Sequence, residues 1–141
     1  MDIQSLKITN MIKLRSTFIA FIFLPLLAVQ AETGADIVKT SGVQGGFIVH
    51  LGCGDGDLTM QFAVGAQYLV HGLDTRSDTV QQARLNLAQV KKFGTVTAGV
   101  FDGEHLPYAD NLVNLIVVSD AAKVTRKEML RVLAPLGVIL E

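Results

Sequence analysis

A short apolar run halted by glycines constrains this chain more than any other feature. Gly46–Leu51 (GFIVHL) is followed at once by Gly52-Cys53-Gly54-Asp55-Gly56. A six-residue apolar stretch bounded by glycine reads as a buried strand of a parallel sheet. The glycines let the backbone turn sharply out of that strand, and a helix is expected to start at Asp57 and run to Gln67, with Leu58, Phe62 and Ala66 on one face.

The same alternation repeats downstream. Tyr68–Leu73 (YLVHGL) is a second strand ending at Asp74. Ser77–Phe93 has Val80, Ala83, Leu87 and Val90 at helical spacing, with Ser77 or Asp78 as cap and Lys91-Lys92 then Gly94 as a stop. Thr95–Phe101 and Leu112–Val118 are the third and fourth strands. The second of these is apolar almost throughout, so both its faces must be covered. Thr125–Leu133 reads as a short helix, and a fifth strand starts at Gly137. A lead-in helix is expected within residues 32–45, closed by Gly42. Strand and helix alternating over short connections predict an α/β, Rossmann-like doubly wound parallel sheet with helices on both faces. The chain stops as the fifth strand begins, which reads as truncation at the C-terminus.

Residues 1–31 read as a signal peptide and 32–141 as the folded domain. Lys7, Lys13 and Arg15 precede the apolar run Thr17–Val29, and Val29-Gln30-Ala31 offers small residues at a cleavage point. That run is too short to span a bilayer, which takes about 20 residues. Export to the periplasm or medium is expected, the alternative being an N-terminal membrane anchor, so that any membrane contact is through this segment alone. The leader holds three of the 12 basic and one of the 13 acidic residues, which leaves the remainder at net −3. With that charge and no basic cluster among aromatics, nucleic-acid binding is not expected. Cys53 is the only cysteine, so no intrachain disulfide can form, and the three histidines have no partners at metal-ligand spacing.

In a doubly wound sheet the ligand sits beyond the carboxyl ends of the strands. Four segments fall there. Gly52, Cys53, Gly54 and Gly56 form the first. A dinucleotide loop needs glycine or alanine at position 57, where this chain has Asp57, and a pyrophosphate would be repelled by Asp55 and Asp57. The zwitterionic methionine end of S-adenosylmethionine meets no such objection. Asp74, with Thr75 after it, is placed to accept hydrogen bonds from both ribose hydroxyls. Asp102-Gly103 suits an adenine edge, or else an ordinary turn. Ser119-Asp120 lies where a reacting group would approach, or else caps the next helix. Cys53 reads as a small residue in a tight turn.

These segments resemble the class I S-adenosylmethionine-dependent methyltransferases, through LGCGDG (51–56), GLD (72–74), FDGEHLPYADNLVNLIVV (101–118) and EMLRVLAPLGVIL (128–140). The resemblance implies that Gly52, Gly54 and Gly56 lie under the methionine and ribose of the cofactor. It also implies that Asp74 binds the ribose, that Asp102 and Gly103 border the adenine, and that a small molecule is the methyl acceptor. The chain departs from the family pattern at His50, where an acidic residue is usual, at Asn114, where Asp is usual, and at Leu136, where a second glycine is common. His50 cannot replace a carboxylate that helps hold the cofactor's amino group. A non-catalytic, methyltransferase-like module is the alternative. VHLGCGDG, VHGLDT and LPYADNLVNLIVVSD also look like a domain of large exported bacterial proteins, where it precedes a β-propeller of the quinoprotein type.

Overall fold

The computed structural model describes residues 32–90 and 94–141. The expected leader and the Lys91-Lys92 helix stop therefore lie outside the described residues. Five strands, β1 (Gly46–Leu51), β2 (Tyr68–Asp74), β3 (Val96–Val100), β4 (Val113–Val118) and β5 (Leu133–Leu140), form one sheet. All pairings are parallel, in the order β3-β2-β1-β4-β5. The order reverses between β1 and β4, which places the ligand crevice at the carboxyl ends of those two strands.

The helices are α1 (Gly34–Ser41), α2 (Asp57–Gln61), α3 (Ser77–Gln89) and α4 (Arg126–Val132). Residues from the first three share one core with Ile48, Val70, Val96, Leu115 and Val117. Met129 and Val132 of α4 pack on the opposite face with Val49, Leu51, Leu73 and Ile116, beside Leu106 from the β3–β4 loop. The helices thus cover both faces, as the alternation predicted. Among the described residues no helix is long and apolar enough to cross a membrane.

Local chemistry sets most of the boundaries. Thr33 and Asp36 form a reciprocal capping box at the start of α1, and Gly42 ends it at φ 74°. Thr125 caps α4 through the Glu128 N–H. Two helix expectations need correction. Helix α2 stops at Gln61 rather than Gln67, because Phe62 turns fully into the core and its N–H bonds back to Thr59. Helix α3 has Arg76 at its N-cap with no side-chain cap, since Asp78 accepts instead from the Thr79 N–H and hydroxyl next to it.

Strand β5 also starts earlier than Gly137. Leu133 pairs with Val113, and Val138 then pairs with Leu115, so Ala134–Gly137 bulge out opposite Asn114. Leu136 at the tip is 99% exposed with φ 65°. Gly137 cannot take a side chain, because a Cβ there would lie 2.7 Å from Leu133 Cγ.

Candidate cofactor crevice and an imidazole between two hydroxyls

The glycine loop leaves β1 with its first two N–H groups, those of Gly52 and Cys53, both donated to Leu73 O of β2. Its three glycines serve three different contacts. A Cβ on Gly52 would come within 2.6 Å of the Asp120 backbone nitrogen, so this glycine lets the β1 and β4 exits touch. A Cβ on Gly56 would press on Ala83 at 3.1 Å, so this one seats α2 against α3. Only Gly54, at φ 55°, faces open space. Of the three, it alone leaves its side-chain position clear of other protein atoms.

Cys53 lies on the core side of the loop, packed where Gly72 leaves room for it. Burial pushes its thiol up to about 11, helped by the charge of Asp74. Behind Gly54 stands Asp74, only 6% exposed. Its Oδ2 accepts from the Gly54 N–H at 3.3 Å, and its Oδ1 from the Arg76 N–H at 3.0 Å and the Arg76 guanidinium at 3.3 Å. Burial alone would raise this carboxyl, but those donors outweigh it and hold it below its ordinary value. Arg76 was not singled out in the sequence, because a cation two residues after a strand carries no local signal.

Gly52, Asp74, Thr75, Phe101, Asp120 and Ala122 line one crevice. A Cβ on Gly103 would lie 2.9 Å from Thr75 Cγ2 and 3.6 Å from Ala122 Cβ, so this glycine lets its loop approach two of the lining residues. Ala122 is held at φ 50° with its N–H on Asp120 Oδ1. Of the residues expected at the strand ends, Gly52, Asp74, Thr75 and Asp120 share this crevice, and Phe101 and Ala122, which were not singled out, complete its lining. Asp102 is engaged locally: Oδ1 accepts from the Glu104 and His105 N–H groups, and Oδ2 meets His105 Nδ1 at 3.0 Å. These contacts, the His105 N–H first, hold its carboxyl at about 2. Asp102 therefore makes the turn that the sequence left open beside the adenine role.

His50 is 1% exposed. Its Nδ1 lies 2.7 Å from Thr59 Oγ1 and its Nε2 lies 2.8 Å from Ser119 Oγ, with Phe62 edge-on to the ring. Burial lowers the imidazole to about 4, against a smaller pull upward from Asp74. At neutral pH it is uncharged and bonded on both nitrogens. Thr59, buried on α2, was missed because a threonine inside a helix gives no warning that it faces a histidine nine residues back. Asn114, in contrast, belongs to the opposite end of the sheet. Its Oδ1 accepts from the Phe47 N–H at 2.9 Å, so this departure from the family pattern is a structural tie remote from the crevice.

The crevice thus sets the Asp74 carboxylate beside the apolar surfaces of Phe101 and Ala122, with Gly54 next to that carboxylate. The sequence profile of the methyltransferase domain family matches residues 48–137. The chain belongs to that family, and its parallel sheet with helices on both faces is the Rossmann-like fold of a methyltransferase domain.

Solved structures agree on the fold. A SAM-dependent methyltransferase from Aquifex aeolicus is 20% identical at a TM-score of 0.62, over 75% of this chain and 61% of that one. The YcgJ protein of Bacillus subtilis is 26% identical at 0.61, over 73% and 46%. Geranyl diphosphate C-methyltransferase from Streptomyces coelicolor, solved with Mg2+, geranyl diphosphate and S-adenosyl-L-homocysteine, is 16% identical at 0.63, over 74% and 41%. The chain spans about half the length of the solved structures it matches. No curated protein matches it.

Proposed function

We propose that this domain binds S-adenosylmethionine in the β1–β4 crevice and transfers its methyl group to a small-molecule acceptor. The observation that carries this reading is the open face of Gly54 with the Asp74 carboxylate directly behind it. When bound, the sulfonium supplies an already activated methyl group, so the protein's work is alignment and exclusion of water. Asp74 and Thr75 would hold the ribose, Gly54 would leave room for the methionine portion, and Gly103 with Phe101 would border the adenine. Ser119, exposed at the end of β4, faces the side from which an acceptor arrives.

Calorimetry with S-adenosylhomocysteine on the chain tests the assignment. Binding is expected, and Asp74→Asn should weaken it at least about tenfold, since hydrogen bonds to a charged group contribute about 1.5–3 kcal/mol. NAD should give no heat, because Asp55 and Asp57 flank the start of α2. A non-catalytic module is the second reading, favoured by the use the chain itself makes of both Asp74 oxygens. Silence with S-adenosylhomocysteine would select it. We also hold that residues 1–31 direct export and that the full protein carries a β-propeller after this domain. Fractionation of cells expressing the whole gene tests the first, and the sequence beyond Glu141 tests the second.

A further inference from the structure

We propose that Ser119, backed by His50 and Thr59, is the seat for the methyl acceptor's X–H group, and that the acceptor is a small, largely apolar molecule carrying a hydroxyl or amine. This rests on the methyltransferase reading and adds to it the acceptor's chemical class.

Three observations meet at Ser119. Its hydroxyl is the exposed end of a continuous chain, Thr59 Oγ1 to His50 Nδ1 at 2.7 Å and His50 Nε2 to Ser119 Oγ at 2.8 Å. It also lines a hollow of about 300 Å³ walled by Ile37, Leu58, Val117 and Leu140. The next residue, Asp120, lines the cofactor crevice, so the seat and the crevice are lined by consecutive residues after β4. The hollow's charged lining groups are Glu32 and Glu141, the second paired with Arg126 at 3.0 Å, so the uncompensated carboxylate of Glu32 disfavours an anionic acceptor.

Methylation of X–H must release that hydrogen as a proton, and the chain of hydroxyl, imidazole and hydroxyl provides a route. The X–H proton passes to Ser119 Oγ as the Ser119 proton passes to His50 Nε2. The X–H bonding electrons stay on the acceptor atom and form its new bond to the methyl carbon. The carbon–sulfur bond of the methyl donor breaks with its electron pair on sulfur. His50 is left as an imidazolium with Nδ1–H on Thr59, facing the nearby charge of Asp74, and returns its proton to water through Ser119. Since His50 is neutral at rest, Nε2 is free to accept. Ser119 touches the acceptor, while His50 and Thr59 are positioning residues acting through it.

The test uses p-cresol and its isostere p-xylene, which differ by a hydroxyl in place of a methyl. In the wild-type chain p-cresol should move the ring-nitrogen NMR resonances of His50, and p-xylene should not. Ser119→Ala, which also removes the partner of the buried His50 Nε2, should lower the cresol-to-xylene affinity ratio about tenfold, the worth of one hydrogen bond, whereas Ser119→Thr, which keeps the hydroxyl, should hold it. An unchanged ratio, His50 resonances that respond equally to both, or no binding of either probe would each overturn the proposal. S-adenosylhomocysteine is titrated into the same samples. If it binds while the cresol preference is absent, only the acceptor seat fails. If the preference is present and S-adenosylhomocysteine does not bind, the methyltransferase reading fails while the seat stands.

Discussion

Replacing Leu136 with glycine should make this domain more stable, although it deletes a large apolar side chain. Leu136 sits at the tip of the Ala134–Gly137 bulge with φ 65°, a conformation that costs a branched L-residue about 1–2 kcal/mol. Its side chain is 99% exposed, so its removal forfeits no burial. Glycine returns about 0.5–1 kcal/mol of that gain through the larger entropy of its unfolded chain. The net expectation is a stabilisation of about 0.5–1 kcal/mol, or roughly 3–5 °C in Tm for a domain of this size. Urea unfolding followed by circular dichroism is the assay, with the midpoint rising at unchanged slope. Leu136→Ala keeps the strain while removing the bulk and should be close to neutral. Leu136→Asn should recover part of the glycine gain, because asparagine tolerates the left-handed region. A midpoint that falls with glycine, or that rises as much with alanine as with glycine, would refute the reasoning.

Four further outcomes follow from the site. His50 is held at about 4 in the fold against 6.5 ordinarily, so the unfolded chain takes up the proton first. Its contribution is complete above pH 6.5 and is lost as pH falls toward 4. By about pH 4.5 the wild type should lose roughly 2–3 kcal/mol from this group, a loss absent in His50→Gln when denaturant curves at the two pH values are compared. Gly52→Ala should cost at least about 2 kcal/mol, because strain at φ 75° adds to a clash with the Asp120 backbone. Gly54→Ala should cost about 1–2 kcal/mol from strain alone, yet block S-adenosylhomocysteine in calorimetry. Cys53, buried with its thiol raised to about 11, should resist iodoacetamide at pH 8 in the folded chain and react rapidly in urea.

What the sequence alone determined here is what local geometry and periodicity can encode. The apolar runs at 46–51 and 113–118 specify buried parallel strands because a strand covered on both faces has no polar alternation to hide. The departure of Asp57 from a dinucleotide loop was equally legible, since it is a matter of residue type at one spacing. Thr125 at the start of α4 and Gly42 at the end of α1 were readable for the same reason. Tertiary structure alone decided which glycine leaves its side-chain position open, because that depends on Asp120 after β4 and Ala83 from α3, 68 and 27 residues away from Gly52 and Gly56 respectively. It also decided the meaning of the two polar departures. Asn114 ties the start of β4 to Phe47, and His50 joins Thr59 to Ser119, 69 residues further along the chain. In isolation His50 reads only as a missing carboxylate. Packing turns it into a neutral imidazole aimed at an exposed serine, because burial removes its charge and only the fold supplies both of its hydroxyl partners.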